Sequence, residues 1–372
     1  MTIRGNDSSF WNGKHVLITG NTGFKGSWLG CWLNAMGARV SGFSLHPPTH
    51  PSLYAAANLA ETIPTVFGDV LDLELLCSEL ERLRPDIVFH MAAQPLVRTS
   101  YEQAVETYMV NVMGTVHLLE AVRRLSAKGS PVRAVVMITT DKCYANRETL
   151  RGYKERDPLG GADPYSGSKS CAELATASYR HSFFPPQRYA EHGVAVATAR
   201  AGNVIGGGDW AADRLLPDCL RTLETGGAIR VRRPDAVRPW QHVLEPLGGY
   251  LLLARRLFDK GAIFAEAWNF GPNSREAQTV EWVVDAVCRA WGDGARFEAA
   301  PSVTGPHESR FLLLDSAKAQ RRLGWQSVWS AAEAVDRTVA WHKAYLAGDD
   351  ARELMLREIE SYEDAAAGVA SR

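Results

Sequence analysis

Along the first 200 residues, short unbroken apolar runs alternate with longer stretches whose apolar positions recur every three to four residues. The runs His15–Thr19 (HVLIT), Arg39–Leu45, Thr62–Phe67, Asp86–Met91 (DIVFHM), Val132–Thr140 (VRAVVMITT) and Val194–Arg200 predict six strands. Helices are predicted between them at Phe24–Met36, Leu71–Leu83, Tyr101–Leu125 and Pro164 to about His181. Strands that are apolar throughout need cover on both faces. Regular alternation with helices therefore indicates a parallel sheet sandwiched by helices, the doubly wound, Rossmann-like α/β plan.

After Arg200 the rhythm changes. Gly206-Gly207-Gly208 and Gly226-Gly227 interrupt the chain, and a basic stretch follows at Arg230-Val231-Arg232-Arg233. Helical patterns return at Val243–Leu257, Val280–Trp291 and Ala331–Leu346. The expectation is a nucleotide-binding domain over 1–202 and a smaller, mainly substrate-binding C-terminal domain over 203–372, interleaved with the first. A length of 372 residues suits that division.

Lys plus Arg (41) and Asp plus Glu (42) nearly cancel, so no global field draws the protein to nucleic acid or anionic lipid. No apolar stretch is long enough for a membrane span, and Met1–Lys14 lacks the apolar core of a signal peptide. The six cysteines are scattered with no C-x-x-C pair, which argues against a metal site or disulfide framework and for a cytoplasmic location.

Candidate chemistry lies at two places. Thr19-Gly20-Asn21-Thr22-Gly23-Phe24-Lys25-Gly26 joins the first strand to the first helix. Glycines allow the tight turn and the close approach of backbone to a pyrophosphate, which the helix N-terminus then holds. The second strand ends Ser44-Leu45-His46 with no acid for the ribose hydroxyls. Asp69 either holds the adenine amino group or caps the helix that follows. The second place is Asp163-Pro164-Tyr165-Ser166-Gly167-Ser168-Lys169. Asp163 suits an N-cap and Pro164 the first helical position, so Tyr165 and Lys169 share one helix face. A fixed ammonium, with a nicotinamide cation, favours the phenolate. Lowering a tyrosine pKa by ~3 units takes ~4 kcal/mol. Such a pair is weak alone and gains weight from its place after the fifth strand.

With His90-Met91-Ala92-Ala93, Asn111 and Thr140, these residues resemble the extended short-chain dehydrogenase/reductase family over essentially the whole chain. Longer strings resemble the nucleotide-sugar 4,6-dehydratases that act on CDP-glucose. They are Ala92–Arg98 (AAQPLVR), Thr140–Tyr144 (TDKCY), Gly160–Tyr165 (GGADPY), Arg200–Trp210 (RAGNVIGGGDW) and Arg238–His242 (RPWQH). The resemblance implies NAD as cofactor, CDP-glucose as substrate, and an internal redox cycle. Tyr165, helped by Lys169 and Thr140, would take the C4 hydroxyl proton while hydride passes to NAD. A base would then remove the C5 proton, the C6 hydroxyl would leave as water, and hydride would return to C6. Related dTDP-glucose dehydratases carry Asp-Glu after the threonine. Asp141-Lys142 here implies an acid for the leaving hydroxyl, and a lysine that is either the C5 base or a stabiliser of the enolate.

By the same resemblance Gly20, Thr22, Gly23, Phe24, Lys25, Gly26, Asp69, Val70, Ala92, Ala93 and Asn111 would bind the cofactor with Tyr165 and Lys169. Gln94, Asn203, Arg214, Arg238 and Tyr250 would bind substrate, although core packing is the plainer reading of Tyr250 and Trp240. His307-Glu308 and Arg310 would close the site. A homodimer is expected through the apolar faces of Tyr101–Leu125 and Pro164–His181, and a role in deoxysugar supply for lipopolysaccharide O-antigen. A 4-epimerase, a dehydratase of another nucleotide sugar, and a non-catalytic dinucleotide sensor are the competing readings. Asp141-Lys142 argues against the epimerase and the intact Tyr–Lys pair against the sensor.

Overall fold

The computed structural model describes residues 6–129, 131–149, 151–273, 276–299 and 310–370. Seven strands form the central sheet: β1 (His15–Thr19), β2 (Arg39–Ser44), β3 (Thr65–Phe67), β4 (Ile87–His90), β5 (Ala134–Ile138), β6 (Ala195–Ala201) and β7 (Ala267–Phe270). Their order is β7-β6-β5-β4-β1-β2-β3, and every pairing is parallel. The expected doubly wound sheet is therefore present, and the order reverses between β1 and β4. A crevice opens at that switch point, beyond the carboxyl ends of the strands.

Alternate residues of each inner strand feed opposite cores, as the two-residue strand period requires. Val16 and Ile18 of β1, Ile87 and Phe89 of β4, and Val136 of β5 join one cluster with Trp28, Trp32 and Trp268. Leu17, Val88 and Val135 join the other, with Phe43, Leu118 and Phe184. A third cluster forms the core of the smaller lobe, around Leu216, Leu220, Ile229, Val283, Val287 and Val335.

The helices that matter for the site are α1 (Phe24–Ala35), α2 (Leu73–Leu83), α3 (Val97–Glu102), α4 (Ala104–Tyr108), α5 (Gly114–Ser126), α6 (Pro164–Ser182), α7 (Leu215–Glu224), α8 (Leu244–Lys260), α9 (Val280–Trp291), α10 (Ala331–Leu346) and α11 (Ala351–Ala370). The single helix expected over Tyr101–Leu125 is instead three pieces. The chain breaks at Gln103 and widens to a π-helical turn at Met109–Met113 before α5 begins. Asn111 lies in that turn and spends its side chain on other elements, as described below. The third strand is shorter than expected, three residues rather than six. Strand β7 comes from beyond residue 203 yet completes the first sheet. Helix α11 packs back on α1, where the rings of Trp32 and Tyr362 meet edge to face at 5.5 Å. Among the described residues no helix is long and apolar enough to cross a membrane.

Candidate active site

A cleft of about 1560 Å³ runs along the carboxyl ends of the strands. One wall is the glycine turn, the segment after β4 and the start of α6. The other wall is the segment Gly202–Asp218 with Arg230–Arg233, Arg238 and Trp240.

The glycine turn is built as its sequence requires. Gly20 has φ +76°, and a Cβ there would lie 2.7 Å from the backbone nitrogen of Ala92. A Cβ on Gly26 would lie 2.2 Å from the carbonyl oxygen of Gly20. The first turn of α1 has no side-chain cap and no acidic residue. Its leading N–H groups, which no helix can satisfy internally, therefore face the cleft ready for an anion. This cradle fits a dinucleotide pyrophosphate. Gly20, Thr22, Gly23, Phe24, Lys25, Gly26, Asp69, Val70, Ala92 and Ala93 all line it. Asp72, not Asp69, caps α2 by accepting from the amide of Leu75, which leaves Asp69 on the cleft wall with Oδ1 accepting from the Leu71 amide at 2.9 Å. Where the second strand lacks an acid, the Thr22 and Ser44 hydroxyls bond each other at 2.7 Å.

At the other end of the cleft, Asp163 caps α6 by accepting from the Ser166 amide at 2.9 Å, and Pro164 takes the first helical position. Tyr165 and Lys169 thus project from the first turns of α6, both buried. Thr140 lies beside the Tyr165 hydroxyl and favours its charged form. Thr140 Oγ1 also donates to Asp141 Oδ1 at 2.9 Å and accepts from the Lys142 amide at 3.3 Å. Lys142 Nζ lies 3.9 Å from Asp141 Oδ1. Asp141 is fully buried and its Oδ2 has no hydrogen-bond partner, so one carboxylate oxygen is left to a ligand. The five residues Thr140, Asp141, Lys142, Tyr165 and Lys169 all line the same cleft.

Burial governs the protonation of this group. It pushes the Tyr165 phenol up to about 12, outweighing the opposite influence of Thr140. It pulls Lys169 down to about 8, against the pull of Glu173, and Lys25 down to about 8, with Arg214 and Lys169 adding repulsion. The phenolate expected from the spacing needs the Lys169 ammonium together with a nicotinamide cation, and burial is the influence those charges must overcome.

A buried network holds α6 in place. Glu173 accepts from Thr139 Oγ1 (2.5 Å), Thr198 Oγ1 (2.8 Å) and Arg200 Nη2 (2.6 Å). One carboxylate thus ties the helix carrying Tyr165 and Lys169 to the ends of β5 and β6. Sequence reading missed this, though Glu173 lies one helical turn beyond Lys169 on the same face.

Of the expected substrate ligands, Asn203, Arg214 and Arg238 line the cleft. Arg214 is anchored to Asp209 at 2.9 Å. Burial opposes its charge, but Asp209 outweighs that and raises its pKa. Arg230, Arg232 and Arg233 of the basic stretch also line the cleft. Three expected ligands do not line the cleft. Gln94 turns its amide inward, donating to Leu96 O and Thr107 Oγ1 at 3.0 and 2.9 Å. Asn111 donates to Ser168 Oγ at 2.9 Å and to Gln94 O at 3.1 Å, so it stitches the π turn to α6 and to the segment after β4. Tyr250 is fully buried against Phe270, with ring centroids 5.7 Å apart. Trp240 is buried at the cleft wall. Arg310 pairs with Asp235 at 3.4 Å, and His307-Glu308 lie outside the described residues.

The segment Gly206–Trp210 is clamped from behind. Trp28 Nε1 of α1 donates to Gly207 O at 3.0 Å. On the opposite side the indole of Trp341 of α10 lies so close that a Cβ on Gly207 would overlap it at 2.0 Å. Trp210 packs against Trp341 and Tyr345 at 6.1 and 5.3 Å.

A doubly wound sheet with this glycine turn, a Tyr–Lys pair at the start of α6 and a second lobe presenting arginines define an extended short-chain dehydrogenase/reductase. More narrowly, the chain belongs to the GDP-mannose 4,6 dehydratase family, whose model matches residues 17–338. It is 52% identical to a CDP-glucose 4,6-dehydratase of Salmonella typhimurium over 356 residues, 96% of this chain and 98% of that protein. A dTDP-glucose 4,6-dehydratase from Streptomyces venezuelae, solved with NAD bound, superposes with TM-score 0.73 at 25% identity, over 90% of this chain and 98% of that one. A UDP-glucose 4-epimerase from Thermotoga maritima, solved with UDP-glucose, shares the fold with TM-score 0.73 at 22% identity, over 89% of this chain and 99% of that one.

Proposed function

We propose that this chain is a CDP-glucose 4,6-dehydratase, converting CDP-D-glucose to CDP-4-dehydro-6-deoxy-D-glucose with NAD as a recycled cofactor. The observation that carries the reading is Asp141, buried with one unpartnered oxygen, beside Lys142 and hydrogen-bonded by Thr140 in the cleft that Tyr165 also lines. A 4-epimerase needs no acid and base there. The near full-length relative that acts on CDP-glucose supports the choice of nucleotide.

The chemistry NAD supplies when bound is acceptance of hydride from C4 and its return to C6. The chain's own residues move the protons. Tyr165 takes the C4 hydroxyl proton, with Thr140 aligning its oxygen and Lys169 supplying positive charge. The C4 ketone acidifies C5, and Lys142 handles the C5 proton. Asp141 donates to the departing C6 hydroxyl. Gly20, Thr22, Gly23, Phe24, Lys25, Gly26, Asp69, Val70, Ala92 and Ala93 hold the cofactor. Asn203, Arg214 and Arg238 hold the nucleotide sugar, the guanidinium fork suiting its diphosphate.

The active form is a homodimer. Tyr101, Val105, Tyr108, Met109, Leu174 and Phe183 are exposed apolar side chains on α3, α4, the π turn and the segment Pro164–Phe183. Such a patch on a soluble protein marks an interface. We place the enzyme in the cytoplasm, in keeping with its six free cysteines. Its product would feed deoxysugar and O-antigen assembly.

The test is incubation with CDP-glucose in deuterated water. A product lighter by one water and carrying one solvent deuterium at C5 is expected. Unchanged mass with inversion at C4 would make the protein an epimerase, and no reaction would remove the assignment.

A further inference from the structure

Arg98 and Asp213 face each other across the cleft, and no role is yet given to either. Arg98 stands in the first turn of α3, on the wall formed by the large sheet domain. Asp213 belongs to the segment that leads into α7 on the other wall. Arg98 Nη1 lies 3.1 Å from an oxygen of Asp213, and the two side chains keep 40% and 38% of their exposure.

The neighbouring pair shows what a fixed ion pair in this cleft looks like. Asp209 keeps 6% exposure, accepts from Arg214 and takes a second bond from the Ala211 amide at 3.2 Å. The Arg98–Asp213 contact has neither burial nor a second bond to fix it. Ion pairs so exposed contribute little to stability and are easily exchanged. A diphosphate offers Arg98 a stronger partner, because its oxygens accept two parallel bonds from a guanidinium.

We propose that Arg98 is a ligand for the diphosphate of the nucleotide sugar, and that Asp213 holds its guanidinium until the substrate displaces it. The proposal rests on the nucleotide-sugar reading above. In it, the carboxylate competes with substrate for one guanidinium, so the two partners act on binding with opposite sign. It also gives the sheet domain its own anchor on a substrate otherwise gripped by arginines of the smaller lobe.

The test is calorimetric binding of CDP to the NAD-loaded protein in four forms: unmutated, Arg98→Ala, Asp213→Asn and the double substitution. Asp213 sits at φ +59°. Asparagine tolerates that left-handed backbone, so the substitution removes charge without straining the turn. Arg98→Ala should weaken CDP about 10-fold or more, the scale of a lost charge-assisted bond. Asp213→Asn should tighten CDP by up to about fivefold, the worth of an exposed pair no longer competing. The double substitution should match Arg98→Ala, because releasing a guanidinium that is absent gains nothing. If both single substitutions weaken CDP alike, or neither changes it, the proposal is overturned and the pair is only a brace. UDP binding and CDP-glucose turnover by the unmutated protein separate the two readings. The same opposite-sign pattern with UDP, and no turnover of CDP-glucose, would keep the Arg98 exchange and remove the CDP assignment. Absence of any nucleoside diphosphate binding would remove both.

Discussion

Replacing Lys142 with methionine separates chemistry from architecture. The side chain keeps 29% exposure and its ammonium lies 3.9 Å from a carboxylate that keeps 1%. At that distance two unit charges attract by about 4 kcal/mol in an effective dielectric near 20. Water reaching the lysine screens this toward about 1 kcal/mol, the upper range for exposed pairs. As an ion pair alone, then, Lys142 is worth a small shift in melting temperature and a similar slowing of every step. As the group that handles the C5 proton it is worth roughly 10²–10⁴ in the rate of elimination alone. Lys142→Met should therefore still oxidise C4 and then stall, holding a 4-keto-hexose nucleotide that the unmutated enzyme passes quickly. Rapid quench into borodeuteride would trap that ketone as a hexose labelled at C4. Mass spectrometry of the quenched samples then counts trapped ketone against dehydrated product over time. Equal slowing of ketone formation and water loss would refute the role, and the C5 base would have to be sought elsewhere.

Tyr165→Phe removes only a hydroxyl. It should abolish trapped ketone by a factor of at least about 10² while CDP binding, measured calorimetrically, stays within about twofold of the unmutated protein. Gly26→Ala would drive a methyl into the backbone of Gly20. It should weaken NAD by about 10-fold or more in calorimetry, because the turn must open to admit it. Glu245 supplies a pH test. Its buried carboxyl accepts from the amides of Val328 and Trp329 and from the Tyr362 hydroxyl, yet burial pushes it up to about 7. The folded chain then keeps a proton that the unfolded chain releases near 4.5, so stability falls as pH rises from about 4.5 to 7. Glu245→Gln removes that loss, and its melting temperature should rise relative to the unmutated protein across that window and level off above pH 7. A difference independent of pH would show that Glu245 stays ionised.

The sheet was legible because its inner strands are apolar on both faces and bounded by turn residues. HVLIT admits no other reading between Lys14 and Gly20. The cap of α6 was legible for the same local reason, Asp163-Pro164 being a start signal that needs no tertiary context. The four residues Ala267–Phe270 carried no such mark, since so short a run is a strand only because β6 offers it an edge. The break of Tyr101–Leu125 was hidden as well, because apolar spacing continues smoothly through Met109–Met113 and only the long-range bonds of Asn111 reveal the wider turn. Side-chain direction was least legible. Gln94 sits in a string that resembles a ligand-binding segment and Asn111 is a single residue of the family resemblance, and such a match carries identity without orientation. Here both amides are spent holding one segment of protein to another. Protonation depends on more than local spacing. Spacing places Lys169 beside Tyr165, but the burial that dominates both groups comes from elements far away in the chain.

The two tryptophans that clamp Gly207 set a timetable for synthesis. Trp28 belongs to the helix that follows the glycine turn and Trp341 to α10, so the clamp that backs one wall of the cleft is supplied from segments far apart in the chain. At about 5–20 residues per second, a ribosome needs on the order of tens of seconds to travel from one to the other. Through that interval the dinucleotide turn has been made, while the wall facing it lacks its support. The nascent chain therefore acquires the means to hold its cofactor well before it acquires the means to enclose a sugar, and the reactive pocket is completed only once Trp341 has left the tunnel.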